Sequence, residues 1–252
     1  LTIRAILATP QSLSLTIVLS TLPLVPPSMS AYPPRQLALA LDHPESYARE
    51  DFFSGPSNEA ALALIESWPD WPARAVALAG PEGSGKTHLA TIWAAAAGAR
   101  VVSGRNVGET DLPAALATGA LVVEDGAAVE DQKALFHLIN LAREEGAFLL
   151  FTARAVPSLW PVSLPDLVSR LRALPVVALE EPDDTLLHGV LLKVAADRQL
   201  TLDESVVRYL LTHIERSLAA ARAAVIALDK EALRQGRPPS RALAAEMFRD
   251  GA

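Results

Sequence analysis

The stretch that most narrows the fold is residues 77–93, ALAGPEGSGKTHLATIW. An apolar run leads into Gly80, and Gly80, Gly85, Lys86 and Thr87 satisfy G-x-x-x-x-G-K-[ST] immediately before a helical run. Glycines let the chain turn tightly enough for successive N–H groups to point at phosphate oxygens, and the helix start adds partial positive charge. Lys86 is placed to reach the outer phosphates and the Thr87 hydroxyl to bind Mg²⁺, with Gly83, Ser84 and His88 completing the loop. The competing reading is an ordinary glycine-rich turn. From average residue usage, a chance match in such a chain is on the order of one in a hundred, and the flanking elements lower that further. Nucleotide binding is the expectation.

The neighbouring elements alternate. A helical pattern covers SNEAALALIESW with Ser57 as the candidate N-cap, and PDWP breaks it. Strands are predicted at 74–80, around 101, at 120–125, 147–153 and 174–180, with helices between them at KTHLATIWAAAAGA, EDQKALFHLINLAREEG and LPDLVSRLRA. Near-continuous apolar strands separated by helices imply an α/β fold, a parallel sheet sandwiched by helices. From EPDDTLLHGV onward only helices are predicted, at 183–198, 203–214, 216–235 and 240–248, forming a small all-helical lid domain.

Composition removes other classes. There is no cysteine, so neither a disulfide framework nor a thiolate metal site is available, and the five histidines are scattered. The net charge of −7 does not steer the chain to nucleic acid. Residues 1–28 carry one charge, Arg4, and their apolar run is interrupted by Thr, Ser and Pro23, which fits neither a membrane span nor a secretory signal well. The expectation is that Met29 is the start and that 1–28 is an extension outside the folded protein.

A phosphate loop also needs an acid at a neighbouring strand end to hold magnesium and orient the attacking water. LVVED supplies Glu124 and Asp125. The usual order puts Asp first, so the longer Glu124 in that place casts doubt on vigorous intrinsic hydrolysis.

Together DFFSGPSNEAAL, GPEGSGKTHLA, LVVED, LFHLINLAREEGAFLLFTAR, LPDLVSRL and the helical tail resemble the DnaA family of AAA+ proteins, closest to its Hda-type regulatory inactivators, over roughly residues 36–248. The resemblance implies a base domain at 51–181, a lid at 182–252 and a clamp-binding lead segment at 29–50. It implies ADP or ATP with Mg²⁺ as ligand. Phe52, Phe53, Gly55 and Asn58 would lie against the adenine, and Thr152 would be the polar sensor of the terminal phosphate. Arg170 would be an arginine finger presented to a neighbour's nucleotide, and Arg216 a lid arginine reaching the phosphates. Without the family pattern, Thr152 reads as a strand residue and both arginines as solvated charges. QLALAL, with Gln36, Leu37, Leu39 and Leu41, resembles the peptide by which such regulators dock on the polymerase sliding clamp; taken alone it is an amphipathic edge strand.

The function so implied is a cytoplasmic regulator of replication initiation. Its partners are the initiator DnaA and the sliding clamp, with no direct sequence-specific DNA binding, no membrane, and a homo-oligomer left open. It would promote hydrolysis of DnaA-bound ATP and so restrain initiation. Two alternatives are a P-loop small-molecule kinase, told apart by ATP turnover that a metabolite accelerates, and a DNA-associated ATPase of helicase-loader type, told apart by salt-sensitive DNA binding.

Overall fold

The computed structural model describes residues 47–250. Among these, strands β1 (Ala75–Ala79), β2 (Arg100–Ser103), β3 (Ala120–Glu124), β4 (Phe148–Ala153) and β5 (Val176–Ala178) form one parallel sheet in the order β2-β3-β4-β1-β5. Helices α1 (Glu59–Glu66), α2 (Lys86–Ala97), α3 (Leu112–Leu116), α4 (Gln132–Glu145) and α5 (Pro165–Ala173) belong to this base. Four more follow as the lid: α6 (Asp184–Asp197), α7 (Glu204–His213), α8 (Leu218–Gln235) and α9 (Arg241–Asp250).

The three inner strands read as apolar runs because both of their faces are covered. Successive side chains point to opposite faces, and the packing follows that rule residue by residue. Leu121, Val123, Leu149 and Phe151 join one core with Leu135 and Leu138 of α4 and Leu167 and Leu171 of α5. Val122, Leu150, Val76 and Leu78 join a second core with Leu62 of α1 and Leu89 and Trp93 of α2. The edge strands differ. Val101 of β2 is 53% exposed and Val176 of β5 is also exposed, so two-sided burial holds only for the interior. The lid has its own core, built on Leu187, Leu191, Val207, Leu210, Val225 and Leu228.

Local chemistry sets most helix ends. Gly98 and Gly146 close α2 and α4 in the left-handed conformation that glycine takes without a Cβ penalty. The Asp131 carboxylate accepts from the Lys133 and Ala134 amides and caps α4. One expected cap is corrected: Asn58, not Ser57, occupies the N-cap of α1. The Asn58 side chain serves the preceding turn, its Oδ1 accepting from the Gly55 amide and its Nδ2 donating to the Phe53 carbonyl. The short helix α3 was not expected, because five residues with Pro113 in the first turn show no period.

Candidate functional site

The register of the sheet creates the site. Ala79 pairs with Ala153, so the phosphate loop leaves β1 beside the end of β4, and the Gly80 amide donates to the Ala153 carbonyl at 3.1 Å. A Cβ on Gly80 would stand 2.5 Å from the Leu179 carbonyl oxygen, so the close strand approach needs glycine there. Gly85 takes the N-cap of α2 with φ of 101°, which turns the amides at the start of α2 toward the loop. Lys86 Nζ donates to the Gly80 and Pro81 carbonyls at 2.8 and 2.6 Å and reaches the buried Ser84 hydroxyl at 3.4 Å. Burial pushes the Lys86 ammonium below the usual lysine range; the Asp125 carboxylate opposes this, Arg154 adds to it, and Glu82 opposes it. Thr87 is exposed at the mouth.

Glu124 ends β3 half-buried, and Asp125 follows it exposed, in a left-handed conformation with φ of 50°. Of the two carboxylates whose fields reach Lys86, Asp125 and Glu82, Asp125 has the larger effect. Thr152 is 3% exposed, and its hydroxyl accepts the Asp125 amide at 3.3 Å, which fixes the acidic turn to β4. That bond gives the Thr152 side chain a positioning task beside its expected sensor role. Arg154, two residues on, forms an ion pair with Glu82 of the phosphate loop across the same mouth. Sequence reasoning passed over Arg154. The FTAR segment carried it, next to the residue chosen as sensor.

A cavity of about 270 Å³ opens beside the loop, just under the lower end of the ~300–1,000 Å³ range of small-molecule pockets. Phe53, Gly83, Gly85, Lys86, Thr87 and His88 line it, joined by the lid's Val190, Leu218 and Arg222. Phe52 packs in the base core, while its neighbour Phe53 lies 3.6 Å from the position of a Cβ on Gly189 of α6. The two rings therefore straddle base and lid. Asn58 does not line this cavity, because its amide is spent on the turn described above; it shapes the segment rather than presenting a group. His88 Nε2 stands 3.0 Å from the Ala48 carbonyl, an acceptor only, so that nitrogen carries the proton. Burial lowers the His88 pKa, and the Ala48 contact opposes the shift.

The lid seats directly on the phosphate loop. The Leu218 amide at the start of α8 donates to the Gly83 carbonyl at 2.9 Å, and a Cβ on Gly83 would meet Ser217 at 2.5 Å. Arg216 lines an adjoining cleft of about 630 Å³ with Pro81, Glu82 and Gly83, and there it bonds Asp184 at 2.7 Å and the Pro182 carbonyl at 3.2 Å. Arg170 lines neither space. It sits on α5 against α4, with no ion pair or hydrogen bond among the described residues. Gln36, Leu37, Leu39 and Leu41 lie outside the described residues, as do 1–28.

The loop fits a polyphosphate, with glycines at its tight approaches, a lysine beside them and a helix start behind. Thr87, Glu124 and Asp125 carry oxygen atoms of the kind Mg²⁺ prefers as ligands. No group of three or more His, Cys, Asp or Glu side chains that could hold a metal ion occurs among the described residues.

A parallel sheet of this order, a phosphate-loop motif on its central strand and a helical lid seated on that loop make up an AAA+ fold. Residues 184–239 match the family described as the lid domain of Hda. The fold is similar to domain III of the replication initiation protein DnaA of Thermotoga maritima, with a TM-score of 0.67, 22% identity, and coverage of 81% of this chain and 96% of that one. It is similar to AMPPCP-bound DnaA from Aquifex aeolicus, with a TM-score of 0.62 and 20% identity over 81% of this chain and 70% of that one. It is also similar to the Thermotoga maritima RuvB Holliday junction branch migration motor, with a TM-score of 0.65 and 17% identity over 81% and 72%. Comparison with curated proteins finds no match. The fold is thus DnaA-like and the lid Hda-like.

Proposed function

We propose that this chain is an adenine-nucleotide-binding regulator of replication initiation that acts in trans, promoting hydrolysis of ATP held by the initiator DnaA together with the DNA-loaded sliding clamp. The observation that carries the reading is Arg170. It is a guanidinium without an anionic partner among the described residues, on a face that does not line this chain's own nucleotide cavity, in a chain whose lid matches that of Hda. The fold alone is equally close to RuvB, so the lid match is what favours the initiator as partner.

In this reading ADP or ATP occupies the 270 Å³ cavity, with the adenine against Phe53 and His88 and the phosphates on the amides of the 80–87 loop. Thr87, Glu124 and Asp125 would hold Mg²⁺, which screens the phosphate charge when bound. The bound nucleotide sets the seat of the lid, since Gly83 belongs to both the loop and the lid contact. Docking would use residues 36–41 on the clamp, and the protein would work in the cytoplasm; no helix of the described residues is long and apolar enough to cross a membrane.

Arg170 then completes the initiator's site. Water attacks the γ-phosphorus, the bond to the β–γ bridging oxygen breaks, and the guanidinium neutralises charge spread over the transferring group. Such fingers are worth roughly a thousandfold or more. The products are ADP and phosphate, and the ADP form of the initiator is inactive. The test is single-turnover hydrolysis by ATP-loaded initiator with DNA-loaded clamp. Arg170→Ala is expected to abolish the stimulation while leaving nucleotide and clamp binding intact; full stimulation by the variant would refute the reading.

A further inference from the structure

An arginine that serves a partner's phosphate faces two opposing demands. It must be held in place, because a long side chain loses up to about 2 kcal/mol of rotamer freedom when fixed. It must also keep its charge available, because an internal carboxylate would compete with the incoming phosphate. An aromatic ring meets both demands, attracting a cation through its quadrupole without forming an ion pair.

The guanidinium carbon of Arg170 lies 5.2 Å from the centroid of the Phe136 ring on α4. Phe136 packs partly buried against the base core, so its ring is fixed from below. The two helices are locked together one turn earlier. Gln132, four residues before Phe136 and hence on the same helical face, accepts through Oε1 from the Ser163 and Leu164 amides at 2.9 and 3.1 Å. That ties the start of α4 to the start of α5, while Leu167 and Leu171 anchor the underside of α5 at 0% and 1% exposure. Arg172, on the same last turn, makes no such ring contact. The alternative for Arg170 is a basic residue that merely complements the C-terminal dipole of α5; that role requires neither the ring nor the clamp.

We infer that Phe136 is the positioning residue for Arg170, presenting its guanidinium to the partner's phosphoryl group in a fixed but uncompensated state. The inference rests on the reading of Arg170 given above. Its effect acts on the chemical step, because the ring touches the guanidinium and does not line the nucleotide cavity.

The experiment uses the full chain in the same initiator hydrolysis assay with three variants. Phe136→Leu keeps an apolar side chain on the core and removes the ring; it should lower the rate at saturating regulator by about 2- to 5-fold, the worth of an exposed cation–π contact. The concentration for half-maximal stimulation should not change. Phe136→Tyr should restore the rate, and Arg170→Ala sets the floor to which both are compared. The aromatic ring current on the Arg170 side-chain protons, read by NMR, should vanish in Phe136→Leu. If Arg170→Ala abolishes stimulation while Phe136→Leu matches wild type, the positioning role is overturned and the trans reading survives. If Arg170→Ala has no effect, both fall. A Phe136→Leu loss that Phe136→Tyr fails to restore would mark a structural defect and overturn the inference.

Discussion

Around the phosphate loop, three basic side chains are held by internal partners: Lys86 by the Gly80 and Pro81 carbonyls, Arg154 by Glu82, and Arg216 by Asp184. On the α4–α5 face Arg170 lies on the Phe136 ring and has no ion pair among the described residues. The difference teaches how each region can use its cations. A bound phosphate in the same chain can take over from a nearby carbonyl or carboxylate by a small side-chain swing. A phosphate arriving on another protein must find the charge already free.

The largest expected effect separates the two regions outright. Lys86→Ala removes a charged hydrogen-bond donor worth roughly 1.5–3 kcal/mol, so nucleotide affinity measured by calorimetry should fall about ten- to a hundredfold. Unchanged affinity would mean the loop is not the phosphate site, and the contrast would collapse. Gly83→Ala comes next. Its φ of 71° costs an alanine about 1–2 kcal/mol, and the new Cβ meets Ser217. The lid should lift, and the Leu218 amide should exchange faster with solvent; protection equal to wild type would show that the lid does not depend on this seat.

A smaller effect tests the swing itself. Asp184→Asn breaks an exposed pair, so stability should change by less than about 1 kcal/mol. If Arg216 is thereby released toward the phosphates, nucleotide affinity should rise several-fold; unchanged affinity would place Arg216 outside the phosphate field. The smallest effect is on pH. Burial lowers the folded-state pKa of His88 below its ordinary 6.5, helped by Arg222 and Arg49 and opposed by the Ala48 contact and Asp51. The unfolded chain therefore binds that proton more readily. This contribution to stability is complete above about pH 6.5 and is lost as pH falls toward the folded pKa. Chemical denaturation at about pH 7.5 and about pH 5.5 should show the loss in wild type and a weaker one in His88→Gln.

Much of the base was legible because its signals are local. The phosphate loop is contiguous, and its glycines report backbone conformations that few other residues allow. The strands showed as apolar runs since the inner three are buried on both faces. The lid helices lie within two residues of their expected bounds. What escaped was whatever depends on the choice between neighbours: Asn58 over Ser57 at the cap, and Arg154 beside Thr152 at the phosphate mouth.

By itself the sequence determined the α/β order, the phosphate loop and the helical lid, because periodicity and turn chemistry act over a few residues. Tertiary structure alone decided that Val190, Leu218 and Arg222 of the lid close the cavity of the base, and that Phe136 meets Arg170. Those pairs are remote along the chain, and the strand order β2-β3-β4-β1-β5 and the packing of helix on helix bring them together. No local pattern encodes a contact whose two sides are set by separate elements.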